Sequence, residues 1–237
     1  MKFNPQSSLT PDQYGPDHIF AASLPSVNDP LTRPVGGVVK RALDILVAVA
    51  ALIALSPLML GVALIIAASS NGPIFYGHQR IGFGGRTFRC WKFRSMVVDG
   101  DSVLERHLRG NPEAQREWAN DRKLRNDPRV TPIGAVIRML SIDELPQLFN
   151  ILMGEMSVVG PRPVVAAELR RYNASAGHYL RTRPGLTGMW QVSGRSDLSY
   201  DRRVQLDRYY VMRWNILADL SIILRTIPAV LKSRGSC

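Results

Sequence analysis

The chain has 237 residues, 46% of them hydrophobic, and 30 Lys and Arg against 19 Asp and Glu give a formal charge of +11. That length fits one sizeable core with appendages, and the charge narrows the partners to an anionic membrane surface, a phosphorylated substrate or nucleic acid. Two cysteines, Cys90 and the terminal Cys237, exclude a disulfide framework or a zinc site, and the terminal one lacks a prenylation arrangement; a reducing, cytosol-facing environment is the default.

Residues 1–36 are rich in Pro, Ser, Asp and Asn with no hydrophobic period, which predicts a disordered tail. No basic start feeds a short apolar run there, so the tail does not read as a signal peptide. After Lys40-Arg41 comes a nearly continuous run of Leu, Ile, Val and Ala from Ile45 to Ala68, and residues 45–79 hold no Asp, Glu, Lys or Arg. The run reaches the roughly 20 residues a transmembrane helix needs. Two features oppose a simple span. Ser56-Pro57 lies near the midpoint, where proline removes a donor and serine can bond a freed carbonyl. The flanks are basic on both sides, with Arg33, Lys40 and Arg41 before and Arg80, Arg86, Arg89, Lys92 and Arg94 after, and basic flanks favour the cytoplasm. The pattern leaves a single span and a re-entrant helix both open.

Asn71-Gly72-Pro73 closes the block as a turn. Residues 74–95 alternate apolar and polar around Gly84-Gly85, which predicts a β-hairpin; the glycine pair lacks the ending of a phosphate-binding loop. Residues 99–126 predict surface helix with a break at Asn111-Pro112, and residues 133–140 a short helix with Arg138 near its end. A further helix is expected to start around Ser141–Glu144 and stop at Gly154. Residues 183–195 read as turn-rich and extended. From Ser199 the pattern is helical, and residues 211–232 carry an apolar stripe behind Tyr209, Tyr210 and Trp214: a core helix, or one lying in a membrane interface.

Chemistry concentrates at Asp143-Glu144. The bland reading is strong: Ser141-x-x-Glu144 matches a capping box, and acids suit a helical first turn. The functional reading uses the same turn. Adjacent residues there point about 100° apart, so one carboxylate can attack a phosphorus while its neighbour holds a divalent cation. Mg²⁺ on Glu144 would suit, since that ion takes few protein carboxylates and completes its shell with phosphates and water. Arg162, between Pro161 and Pro163, is a backbone-restrained guanidinium suited to bidentate phosphate binding, or simply a rigid surface turn. Lys92, Arg94 and Arg138 add positive charge, each of which read singly is a solvated surface cation. No histidine cluster and no Gly-x-Ser-x-Gly occurs.

From about Lys40 to Arg234 the chain resembles the bacterial sugar transferases known as monotopic phosphoglycosyl transferases. The resemblance is carried by Lys40-Arg41-x-x-Asp44, Ser56-Pro57, Gly72-Pro73-Ile74-Phe75, Gln79-Arg80-Ile81-Gly82 and Lys92-Phe93-Arg94-Ser95-Met96. It continues through Asp127-Pro128-Arg129-Val130-Thr131-Pro132, Asp143-Glu144-Leu145-Pro146-Gln147 and Gly160-Pro161-Arg162-Pro163. Pro184-Gly185-Leu186-Thr187-Gly188, Gln191-Val192-x-Gly194-Arg195 and Leu206-Asp207-x-Tyr209-Tyr210 complete it. It departs at Ser141, after Met139-Leu140 where relatives usually place a further basic residue, and at Phe149, where Trp is common.

The resemblance implies an α+β protein: a tail over 1–36, a re-entrant membrane helix hairpin over 37–70 broken at Ser56-Pro57, and a catalytic domain over 71–237. That domain would be mostly helical, with a small β-hairpin and interfacial amphipathic helices, on the cytoplasmic face of the bacterial inner membrane. It implies transfer of a sugar 1-phosphate, galactose or glucose, from a UDP-sugar to undecaprenyl phosphate at the start of exopolysaccharide synthesis. Asp143 would be the nucleophile and Glu144 the Mg²⁺ ligand; Lys92, Arg94, Arg138 and Arg162 would bind phosphate, and Asp207 would serve the nucleotide side. The expected partners are the UDP-sugar, undecaprenyl phosphate, membrane lipids and at most further copies of the chain. Two other readings compete: a non-catalytic basic scaffold at the membrane surface, which needs neither the acid pair nor Arg162, and a nucleic-acid binder, for which no recognisable motif is present.

Overall fold

The apolar block forms one helix, α1 (Gly37–Ser69), 33 residues long and therefore about 50 Å from end to end. The computed structural model describes residues 33–121, 124, 126–194 and 197–231; of the tail expected over 1–36, residues 1–32 lie outside them, while the last residues are fastened to the domain, the Val35 amide donating to the Arg181 carbonyl at 3.0 Å. Where a break is expected at Ser56-Pro57, the helix runs on. Pro57 cannot donate to the Ile53 carbonyl, and the Ser56 hydroxyl donates to that same carbonyl instead, at 3.0 Å. The freed acceptor is satisfied within the helix, so the two halves stay one element rather than separating into a helix–turn–helix.

Both ends of α1 are fastened to the domain that follows. Near its start the Lys40 ammonium donates to Asp219 at 2.7 Å, and Ser157 Oγ and the Val158 amide donate to Asp44 at 2.8 and 2.9 Å. Arg41 donates to the carbonyls of Ile151 and Leu152, in the last turn of another helix. At the far end the Arg94 guanidinium donates to the carbonyls of Ser70 and Asn71 at 2.9 and 3.1 Å. Between these ties Ala48 joins one apolar cluster and Met59, Val62 and Ile66 join another. The opposite side of α1 stays bare, with Leu46 69% and Ile53 71% exposed. By length and composition this helix is apolar enough to cross a membrane.

After α1 the chain forms an antiparallel hairpin, β1 (Phe75–Ile81) and β2 (Thr87–Phe93), as the Gly84-Gly85 signal predicts. Gly84 and Gly85 take φ of 65° and 82°, a region where a Cβ is costly. The polar stretch gives α2 (Gly100–Arg109) and α3 (Pro112–Asp121), split at Asn111, whose side chain caps the second helix by accepting from the Glu113 and Ala114 amides. Then come α4 (Pro132–Met139), capped by Thr131, and α5 (Gln147–Met153), closed by Gly154 at φ 83°.

The remaining elements are β3 (Ser157–Val159), α6 (Ala166–Arg170), α7 (Ala176–Leu180), β4 (Gly185–Thr187), α8 (Tyr200–Met212) and α9 (Ile216–Leu231). β3 and β4 pair in parallel across distant segments, which local pattern does not disclose. The stripe expected over 211–232 is divided: residues 211 and 212 end α8, and the chain turns before α9. The buried carboxylate of Asp219 draws Lys40, Tyr210 and Trp214 Nε1 together at 2.7, 2.7 and 3.0 Å, folding α9 back onto α8. The fold is thus mixed, mostly helical, with one long apolar helix and small sheets.

Lys40 and Asp219 are both buried, so removing one partner leaves an uncompensated charge inside the protein, at a cost of about 3–5 kcal/mol. Lys40→Met is expected to lower the unfolding midpoint of the detergent-solubilised protein by a corresponding amount, and adding Asp219→Asn to recover part of it; thermal unfolding followed by circular dichroism checks both.

Candidate functional site

Asp143 and Glu144 lie in a tight turn, Ile142–Glu144, between α4 and α5. The capping box suggested by Ser141-x-x-Glu144 is not formed. Ser141 sits in the left-handed region at φ 56° and its side chain caps nothing, while the Glu144 carboxylate leaves the turn altogether. A non-glycine residue in that region costs about 1–3 kcal/mol and is held only where its surroundings over-determine it. Those surroundings are apolar: Ile142 and Leu145, on either side of the acids, pack into the cluster of Met59, Val62 and Ile66 of α1 with Phe93 and Ile137.

Lys92 arrives from β2. Its Nζ donates to Glu144 Oε1 at 2.6 Å and lies 3.6 Å from Asp143 Oδ2. Asn150, fully buried in α5, sets this register. It accepts from the Trp91 amide at 3.0 Å and donates to the Arg89 carbonyl at 2.7 Å, locking the helix after the acids against the strand that carries Lys92. α4 is tied to the same strand's exit: the Thr131 amide donates to the Ser95 carbonyl at 3.1 Å, and a Cβ on Gly134 would collide with that carbonyl.

The two carboxyls are driven in opposite directions. Burial pushes Asp143 above the ordinary carboxylate range, and the Glu144 charge adds to this, against the pull of Lys92 and Arg138. Burial acts on Glu144 as well, but the charge and hydrogen bond of Lys92, with Arg162 and Arg80 behind it, outweigh burial and hold Glu144 below its usual value. Adjacent acids split this way suit different roles.

Arg162 is presented by backbone constraints. The Gly160 amide donates to the Thr187 carbonyl at 2.9 Å and the Gly185 amide to the Pro161 carbonyl at 2.8 Å; a side chain on Gly160 or Gly185 would strike the other strand's backbone. Pro161 and Pro163 are buried while Arg162 between them is exposed, with no hydrogen-bond partner among the described residues.

Of the residues singled out in the sequence, Lys92 acts on both Asp143 and Glu144, Arg138 acts on Asp143, and Arg162 acts on Glu144. Arg94 stands apart, spent on the carbonyls that end α1. Asp207 is buried in a tyrosine layer and accepts from the Tyr172 hydroxyl at 2.8 Å; burial pushes its carboxyl up to about 7. Arg80 was not singled out, although Gln79-Arg80-Ile81-Gly82 carried part of the resemblance; the structure brings its charge to bear on Glu144.

The donor set suits a metal that brings its own ligands. Among the described residues there is no group of three or more His, Cys, Asp or Glu able to hold an ion. Glu144 offers a half-buried carboxylate with its second oxygen unpartnered among those residues, and Asp143 is adjacent. That fits Mg²⁺ completed by substrate phosphates and water and does not fit a closed structural site.

The Bacterial sugar transferase family matches residues 35–233. The chain is 58% identical over 204 residues to the exopolysaccharide production protein ExoY of Sinorhizobium fredii, covering 86% of this chain and 90% of that protein. It is 48% identical over 197 residues to the undecaprenyl-phosphate galactose phosphotransferase of Salmonella typhimurium, covering 83% of this chain and 41% of that one. It is 42% identical over 210 residues to the undecaprenyl-phosphate glucose phosphotransferase of Komagataeibacter xylinus, covering 83% of this chain and 36% of that one. A match over nearly all of the described residues, with an acid pair beside a fixed lysine at its centre, establishes that the chain belongs to the bacterial sugar transferase family.

Proposed function

We propose that this protein is an undecaprenyl-phosphate sugar phosphotransferase acting on a UDP-sugar, galactose or glucose, at the first membrane step of exopolysaccharide synthesis. The observation that carries this reading is Lys92 Nζ lying against both carboxylates of an adjacent acid pair, 2.6 Å from Glu144 and 3.6 Å from Asp143, in a turn packed on the apolar helix. A non-catalytic scaffold has no use for that geometry.

In the first half-reaction an Asp143 oxygen attacks the phosphorus that bears the sugar. The bond from that phosphorus to the bridging oxygen breaks, and UMP leaves with the electron pair. In the second, an oxygen of undecaprenyl phosphate attacks the same phosphorus and the Asp143 carboxylate departs, giving the lipid-linked diphosphosugar. Lys92, Arg138 and Arg162 neutralise the phosphate oxygens as the anionic nucleophile approaches. Glu144, held ionised, would hold Mg²⁺, which when bound supplies charge neutralisation at the diphosphate. Burial of Asp143 strips water from the nucleophile and raises its basicity. Asp207 acts at a distance on this reading, as a buried support behind the nucleotide side.

The re-entrant reading of α1 is supported by the ties at both ends of the helix to one domain, and a position on the cytoplasmic face by the basic residues on both flanks. A helix that crossed to the far side would carry one end away from that domain. Interfacial contact of α9 is supported by Leu217, Leu224 and Ile227, exposed on the side away from Asp219 and Ile222. Met153 and Phe149 of α5 are likewise exposed, placing apolar side chains beside the acids at the level proposed for the bilayer surface.

The purified protein with UDP-galactose and Mg²⁺ but no lipid acceptor is expected to release at most one UMP per protein, and Asp143→Asn to reduce that release by about three orders of magnitude or more; normal release by the variant refutes the nucleophile. Because Asp143 must be ionised to attack and burial raises its pKa, the single-turnover rate should climb with pH through that raised value and then level off. Lys92 lowers the Asp143 pKa, so Lys92→Met should move the climb to higher pH, which rapid-quench measurements across a pH series would detect. Single cysteines at the exposed positions Arg33 and Asn71, in a background with Cys237 replaced by Ser, are expected to react with an impermeant maleimide from the same side of the membrane. Labelling from opposite sides would mean α1 crosses.

A further inference from the structure

Cross-strand register puts Tyr76 opposite Lys92, His78 opposite Cys90 and Arg80 opposite Phe88, so these six side chains share one face of the hairpin. His78 therefore stands between Arg80 and Lys92, and its buried Nδ1 has no hydrogen-bond partner among the described residues. Burial first, then the charges of Arg80 and Lys92, hold its imidazole below the ordinary range. At the end of the hairpin Ile81 bridges to Val164, its amide donating to the Val164 carbonyl at 2.9 Å. That bridge brings the Arg162 loop alongside Arg80.

Arg80 is half-buried, and burial and Arg162 both work against its charge. Its ion-pair partner among the described residues is Glu168 of α6, at 3.3 Å, through a single oxygen, Oε2, that also accepts from the Val165 amide at 3.1 Å. A guanidinium has five donors arranged as a fork. Here it meets one long, shared contact with a carboxylate that is 43% exposed, a class of pair worth little in water. A planar fork held beside two further cations is matched to a multiply charged oxyanion.

The acids also have distinguishable surroundings. Arg138 acts on Asp143, whereas Arg162 and Arg80 act on Glu144. On the transferase reading above, on which this inference rests, the sugar-bearing phosphate lies over Asp143, and the other phosphate falls toward Glu144 and the outer end of the hairpin. We propose that Arg80 binds the phosphate that departs with the nucleoside, and that Glu168 is its resident counter-ion, displaced when the nucleotide enters.

The test is calorimetric titration of the full-length, detergent-solubilised protein with UMP, beside a UMP-release assay with UDP-galactose. Arg80→Gln is expected to weaken UMP binding about tenfold or more and to raise KM for the UDP-sugar, with Arg80→Lys in between. Glu168→Gln, which keeps a hydrogen-bond acceptor but removes the competing charge, is expected to tighten UMP binding about threefold. A destabilised protein does not bind more tightly, so this second variant decides the matter even if Arg80→Gln folds poorly. Unchanged UMP affinity in Arg80→Gln, or a loss in Glu168→Gln, overturns the proposal: the pair would then only tie β1 to α6. Should the wild type release no UMP from any UDP-sugar while both affinity changes appear, the transferase reading falls and the phosphate site stands. Should it release UMP with Arg80→Gln unaltered in affinity and KM, the transferase reading stands and the role of Arg80 falls.

Discussion

The acid pair is built into the packing of the apolar helix. Ile142 and Leu145 bracket Asp143 and Glu144, and both pack into the cluster made by Met59, Val62 and Ile66 of α1. The depth of the carboxylates relative to α1 is therefore set by side-chain packing, where even one methylene of misfit is felt. Lys92 closes the arrangement from the other side, on a strand whose register against α5 is fixed by the buried amide of Asn150. A lipid-borne phosphate and a water-soluble nucleotide can meet only at a boundary, and on the proposed transferase reading this packing would set the acid turn at that level.

Electrostatics divides two chemically similar residues into different tools. Asp143 is desolvated and made more basic; Glu144 is surrounded by cations and kept ionised. Neither effect needs an unusual residue. They follow from burial, which dominates at Asp143, and from the cations around Glu144, with Lys92 bonded directly to it at 2.6 Å. The buried Lys40, Asp44 and Asp219 network at the other end of α1 has a complementary task. It fixes how the helix leaves the domain, using charges that would be costly in a bilayer unless paired.

Much of this was legible in the sequence. The apolar block announced α1 by composition alone, Gly84-Gly85 announced the hairpin, and Thr131-Pro132 and Gly154 marked helix boundaries by their local chemistry. What the sequence does not disclose is mostly non-local. Ser141-x-x-Glu144 satisfies the pattern of a capping box, but Glu144 finds a stronger partner in Lys92, fifty-two positions away. At Ser56-Pro57 the helical assignment continues, with the serine hydroxyl bonding the carbonyl that the proline leaves free. Arg94 and Arg80 looked alike as basic residues after the block. Only the fold shows that one is consumed by the carbonyls ending α1 while the other pairs with Glu168 and lends its charge to Glu144. The parallel pairing of β3 with β4, which holds Arg162 in place, joins segments whose spacing gives no local signal.

The proposed reaction turns on covalent attachment of the sugar phosphate to Asp143. Incubating the protein with a UDP-sugar and Mg²⁺ in the absence of undecaprenyl phosphate, quenching in acid and recording the intact mass tests this directly. The expected product is a species heavier by one hexose phosphate, mapped by peptide fragmentation to Asp143 and discharged when undecaprenyl phosphate is added before the quench. An unmodified mass under conditions where UMP accumulates, or an adduct on any other residue, would contradict it.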